Sequence, residues 1–186
     1  MQEETVSRKD FFKKGILKAF GFLQENFGDS LGIISYSPIR PPGAIDEKDF
    51  LDTCVKCGNC VDVCPQNSIK FSGLEAGFVA GFPVVKVNEK PCFVCDDLSC
   101  MKNCPTGALV LVPKEEIKMG YAEVIQDKCI TYQDKECNIC VTSCPFPEVA
   151  ISIDENKHPL VTDKCTGCGL CDYWCEFNAI KIQSYR

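Results

Sequence analysis

Beyond residue 65 the apolar positions come in short bursts of β-branched or alternating residues, each bounded by turn formers. Seven stretches read as strands: Ser68–Ser72, Pro83–Asn88, Ala108–Val112, Tyr121–Gln126, Val149–Asp154, Pro159–Thr162 and Ala179–Gln183. Glu155-Asn156-Lys157-His158-Pro159 is one of the turns between them. The start of the chain is patterned differently. Phe12, Ile16, Phe20, Leu23 and Phe27 recur at helical spacing with Lys13, Lys14 and Lys18 on other sides, which predicts an amphipathic helix. Pro38-Ile39-Arg40-Pro41-Pro42-Gly43 cannot continue a helix and reads as an extended linker. The expected architecture is α+β, with an N-terminal helix and Pro-rich linker over residues 1–50 and a loop-rich domain of short strands and helices over 51–186.

Cysteine changes this picture. All 16 cysteines of the 186 residues fall in residues 51–176, in four groups that begin at Cys54, Cys92, Cys129 and Cys165, at intervals of 38, 37 and 36. Such regularity is an internal repeat. Group one is Cys54-x2-Cys57-x2-Cys60-x3-Cys64-Pro, and group four is Cys165-x2-Cys168-x2-Cys171-x3-Cys175. Group two is Cys92-x2-Cys95-x4-Cys100-x3-Cys104-Pro, and group three is Cys129-x7-Cys137-x2-Cys140-x3-Cys144-Pro. A similar short apolar stretch comes after each, so a helical turn leading into a strand is expected there.

Cysteine at this density belongs to a disulfide scaffold, to zinc sites or to iron–sulfur sites. The chain is long for a disulfide-stapled domain, and its lone histidine, His158, is too little for mixed Cys/His zinc sites. Groups one and four are the bacterial ferredoxin run, in which three closely spaced cysteines reach three irons of one cubane and the fourth serves the other cluster of a pair. Groups two and three lengthen one loop each but keep four cysteines and the final Cys-x3-Cys. Gly58, Gly167 and Gly169 supply the backbone freedom of a loop folded tightly over a cluster. All sixteen cysteines are thus expected to hold four [4Fe–4S] clusters in two ferredoxin-like dicluster units.

Two pairings of the groups are open. In a nested scheme the sites are Cys54/Cys57/Cys60 with Cys175, Cys165/Cys168/Cys171 with Cys64, Cys92/Cys95/Cys100 with Cys144, and Cys129/Cys137/Cys140 with Cys104. A tandem scheme pairs group one with two and three with four. Pro83–Asn88 gives the middle groups a full set of four strands, and nesting is the expected arrangement, although Tyr121–Gln126 does the same for groups three and four.

The remaining residues offer no substrate chemistry. Formal charge is −6, and four oxidised cubanes on thiolates would take it to about −14. With no basic stripe, nucleic acid is excluded as a partner. No run of 18 apolar residues exists that could span a membrane. There is no P-loop, no GxGxxG and no nucleophile–base arrangement. His158 reads as a surface turn residue, Tyr173 and Trp174 as packing against a cluster, and Asp96-Asp97 and Glu115-Glu116 as solvated carboxylates.

Arg40-Pro-Pro-Gly-Ala-Ile-Asp-Glu, Pro91-Cys-Phe-Val-Cys-Asp-Asp-Leu-Ser-Cys and Met119-Gly-Tyr-Ala-Glu-Val resemble the ferredoxin-type proteins of the MauM/NapG family. The resemblance runs from about residue 40 to the C-terminus, and the number, order and irregular spacing of the cysteine groups match. More distantly, group two resembles the four-cluster subunits of molybdenum and tungsten oxidoreductases. These resemblances imply a non-catalytic relay within a larger oxidoreductase complex. Its partners would be a catalytic subunit, in some cases molybdenum- or tungsten-containing, or a quinol-oxidising membrane protein. The alternative is a periplasmic component feeding a terminal reductase. Ser7-Arg8-Lys9-Asp10-Phe11-Phe12-Lys13 is similar to a twin-arginine signal, but Lys9 replaces the second arginine, and Lys18, Gln24, Glu25, Asn26 and Asp29 interrupt the apolar segment behind it. It reads as a remnant reused as a docking helix, which favours a cytoplasmic chain over an exported one. A cluster with an open iron, which would make the chain an enzyme, is disfavoured because sixteen cysteines satisfy four cubanes.

Overall fold

The structure, a computed structural model, describes residues 38–185; the helix expected over residues 11–27 and the twin-arginine-like segment lie outside them. Two stretches of chain repeat one topology. In the later one, β3 (Gly120–Val124) pairs antiparallel with β6 (Ile180–Ser184), in register from Gly120 opposite Ser184 to Val124 opposite Ile180. Between them in sequence, β4 (Ile151–Ile153) and β5 (Pro159–Val161) form a hairpin. Its turn is fixed by one side chain: the Asp154 carboxylate accepts the Asn156 and His158 N–H groups at 2.9 and 2.8 Å, the local bonding that makes Asp a turn former.

In the earlier stretch, β1 (Ile69–Phe71) and β2 (Pro83–Val85) are the hairpin. Leu74 and Phe78 stand exposed on the 3-10 segment that joins these strands. The outer pair is reduced to a bridge between Ala44 and Leu109, with Ile45 N–H donating to the Ala108 carbonyl at 3.2 Å and Val110 N–H to the Gly43 carbonyl at 2.8 Å. Ala108–Val112, expected as a strand, therefore forms a bridge and no ladder. Its partner is the proline segment, and Pro41 and Pro42 have no N–H to donate.

That segment is extended, as its prolines dictate, but it is not a free linker: Pro38 to Pro42 are all buried. Arg40 is 6% exposed, and its guanidinium grips Glu47 of α1 (Glu47–Thr53) through two bonds of 2.6 and 2.9 Å. It also donates to the Pro83 carbonyl at 3.0 Å and lies 4.8 Å over the ring of Phe50, which is fully buried against Phe82. At Gly43, φ is +75°, and a Cβ would run into the Val110 carbonyl and the Met101 side chain, so the outer bridge needs glycine there. Residues 38–42 thus pack into the same body as the cysteine groups. The core of that body mixes ordinary apolar residues such as Ile69, Met101, Leu109 and Ile117 with Cys60, Cys92 and Cys168.

Candidate iron–sulfur sites

The repeat in sequence is a repeat in local structure. Four one-turn helices carry the third cysteine of each group as their second residue: α2 (Asn59–Asp62) Cys60, α3 (Ser99–Lys102) Cys100, α4 (Ile139–Thr142) Cys140 and α5 (Leu170–Tyr173) Cys171. The fourth cysteine comes directly after, and a left-handed residue then turns the chain: Asn67 (φ 52°), Gly107 (77°), Glu148 (62°) and Asn178 (49°). Asn and Gly enter that region most readily. This is why group four turns correctly although Glu176 stands where the other groups have proline. Gly58, Gly167 and Gly169 are left-handed, as a tight loop requires, while Lys56 and Val94 adopt the same conformation without being glycine.

Each fourth cysteine is anchored by a backbone donor. The Sγ atoms of Cys64, Cys104, Cys144 and Cys175 accept N–H bonds from Ser68 (3.3 Å), Leu109 (3.3 Å), Phe146 (3.4 Å) and Ala179 (3.4 Å). Such donors stabilise negative charge on sulfur and raise the potential of a cluster held there.

All sixteen cysteines converge on four cavities. Cys54, Cys57 and Cys60 share one with Cys104, and Cys92, Cys95 and Cys100 share another with Cys64. Cys129, Cys137 and Cys140 meet Cys175, while Cys165, Cys168 and Cys171 meet Cys144. The exchange of fourth cysteines is therefore tandem, between groups one and two and between three and four. The nested expectation is corrected. Its physical reason is strand pairing: the β3–β6 ladder folds residues 120–184 back on themselves, and the Ala44–Leu109 bridge does the same for the earlier residues. What the nesting argument missed is that the proline segment takes the place of a first strand for groups one and two.

The donor sets fit cubanes. Among the described residues no three His, Cys, Asp or Glu side chains close on a single-ion point, as zinc would require; the thiols instead ring open spaces. Burial pushes Cys60 and Cys92 up to about 12, with the other ligand sulfurs nearby adding to the effect. Cys100, Cys140 and Cys168 are pushed up to about 11, burial again leading, and Cys171 is raised too. Such a crowd of buried thiols resists ionisation unless positive charge stands among them, which is what bound iron supplies. Cys104 is the exception. Burial raises its pKa, but N–H donors from Leu109, Thr106 and Gly107, with the Thr106 hydroxyl, outweigh that and lower it.

Other expectations fare unevenly. Asp96 and Asp97 are exposed, as are Glu115 and Glu116. Tyr173 and Trp174 do not pack over a site: they meet each other edge to face at 5.3 Å, and Trp174 is 52% exposed. His158 is in the expected turn but half-buried, stacked on Tyr132 at 3.8 Å. The Arg40–Glu47 fork was not legible in the sequence as a structural tie; a buried arginine carries no local signal beyond the prolines beside it.

Paired short strands, one-turn helices and four rings of four cysteines define an iron–sulfur electron carrier of the ferredoxin type. The 4Fe-4S dicluster domain matches residues 53–108, and a 4Fe-4S binding domain matches residues 165–179. The chain is 38% identical over 160 residues to the ferredoxin-type protein NapG of Escherichia coli, a match covering 77% of this chain and 69% of that protein. It is 33% identical over 196 residues to the methylamine utilization ferredoxin-type protein MauM of Methylorubrum extorquens, covering 97% and 89%. To MauM of Paracoccus denitrificans it is 38% identical over 148 residues, covering 74% and 66%. The chain belongs to this NapG/MauM family of ferredoxin-type proteins and transfers electrons through [4Fe–4S] clusters.

Proposed function

We propose that the chain is a non-catalytic relay subunit built of two dicluster units, residues 38–112 and 120–184, with all sixteen cysteines as ligands of four clusters. The observation that carries this reading is the ring of four cysteines around each cavity, three from one group and the fourth from its tandem neighbour. When bound, the clusters supply one-electron chemistry. The chain's residues then do three things: Cys thiolates hold every iron, backbone N–H groups set the charge on the fourth sulfurs, and the apolar walls limit water. With every iron on a thiolate there is no open coordination position, and the chain itself performs no substrate reaction. The match of the dicluster domain to residues 53–108, which contain groups one and two and neither of the others, supports the tandem units. The partners are redox proteins on either side, a catalytic oxidoreductase subunit or a quinol-oxidising membrane protein. Among the described residues no helix is long and apolar enough to cross a membrane.

Iron counting tests the reading. The anaerobic protein should hold about sixteen irons and take up about four electrons from dithionite. The single variants Cys54→Ala and Cys104→Ala should each lower the count to about twelve irons, and the double variant to no less, because both residues serve one site. A double variant with about eight irons would put those residues in separate sites and end the tandem reading.

A further inference from the structure

The four sites are not laid out in the order of their groups. Within each half, the helices bearing the third cysteines abut: α2 packs on α3 and α4 on α5. Cys60 thereby lies within electrostatic reach of Cys100, and Cys171 within reach of Cys140. Between the halves, the contact that links ligand residues joins group two to group four. The Cys92 N–H donates to the Cys168 carbonyl at 2.8 Å, so ligand residues of two sites are bonded directly through their backbones. Beside this bond, Gly169 (φ 88°) lies so close to Val87 that a Cβ would overlap it. Cys92, Cys168, Val87 and Leu170 belong to one continuous core. The Cys92–Cys168 bond and the Val87–Gly169 approach both fall on the loops of groups two and four.

The structure assigns a single file of sites in the order group one, group two, group four, group three, with the Cys92–Cys168 backbone bond as the crossing between halves. This rests on the four-cluster tandem reading proposed for the chain. Electron tunnelling falls off exponentially with distance, so a file of this kind has two inner sites and two ends. The inner sites are Cys92/Cys95/Cys100/Cys64 and Cys165/Cys168/Cys171/Cys144. The ends are Cys54/Cys57/Cys60/Cys104 and Cys129/Cys137/Cys140/Cys175. At the first end Cys57 is exposed, unlike the other fifteen cysteines, and Val55 beside it is 65% exposed. That is where an external redox partner comes nearest to a ligand. An electron that enters at group one thus leaves at group three, although group four is last in the sequence.

Paramagnetic coupling reads the order without any turnover assay. Each site is removed in turn with Cys60→Ala, Cys100→Ala, Cys140→Ala and Cys171→Ala, iron is counted, and EPR spectra of the fully reduced proteins are recorded. Loss of an inner site must strand one end. Cys100→Ala and Cys171→Ala are expected to yield one narrow, uncoupled S = 1/2 signal, while Cys60→Ala and Cys140→Ala leave three mutually coupled centres and no such signal. An isolated signal from Cys140→Ala and none from Cys171→Ala would make group three the inner site and overturn the order. If an inner variant retains fewer than about twelve irons, amide hydrogen exchange of the unaltered loaded protein decides. The Cys92 amide is expected to exchange as slowly as the β3–β6 ladder, and fast exchange would remove the crossing. Failure of the underlying reading looks different: the unaltered protein would itself fall short of about sixteen irons.

Discussion

Single residues do two kinds of work here, holding metal and holding backbone. The thiols of Cys60, Cys92, Cys100, Cys140, Cys168 and Cys171 are all pushed up mainly by burial where they line the cavities, so at pH 8 they hold their protons until iron displaces them. Thiolate ligation must expel them, so cluster loading at pH 8 should release at least these six protons per chain beyond those from sulfide, and rising pH should favour loading while falling pH opposes it. A proton count in weak buffer with an indicator dye checks this; a release below six would mean that the thiols are not ligands. Arg40 is the clearest backbone holder. Removing its guanidinium leaves the Pro83 carbonyl and the Glu47 carboxylate without their donor. Arg40→Ala should cost about 2 kcal/mol, read as an earlier denaturant midpoint for loss of cluster absorbance, and Arg40→Lys should not restore it because lysine cannot make the fork.

The elements among the described residues are too short to be stable alone, and their order comes from what closes around them. One-turn helices such as α2 and α5 exist because the Cys-x3-Cys segment must deliver its two ends to different cavities. The left-handed residue after each fourth cysteine then sends the chain into β1, the Leu109 bridge, β4 or β6. The weakest closure is the bridge of the earlier half, a single pair where the later half has a five-residue ladder. Gly43→Ala should open it, since the added methyl meets the Val110 carbonyl and adopts a left-handed backbone at a cost of about 1–2 kcal/mol before any clash. The expected outcome is selective loss of the two clusters of groups one and two, with about eight irons left on groups three and four; equal loss from both halves would refute an independent closure. Strand positions were legible from β-branched runs, and six of the seven expected strands are present. Their partners were not legible, because a short strand's sequence records which faces are apolar and says little about which edge it joins.

At the scale of the whole molecule, the interior is shared between apolar side chains and cysteine-lined cavities, so the fold and its metal are one equilibrium. Removing iron with a chelator under oxidising conditions should abolish the cooperative thermal transition and most of the β signal in circular dichroism; a metal-free chain that keeps a sharp transition would show that the apolar core suffices. The sequence by itself determined the chemistry: sixteen cysteines in four groups, spaced so that each could hold a cubane, and no nucleophile–base pair, phosphate loop or basic stripe to suggest anything else. That much is local, since ligand type and spacing within ten or so residues decide what a loop can bind. Tertiary structure alone decided which group lends its fourth cysteine to which, that Pro38 to Pro42 form part of the core, and that groups two and four meet at Cys92 and Cys168. Those are contacts between residues far apart in the chain, chosen by ladder closure and packing, and repeats so alike in sequence can be joined in more than one order until the strands pair.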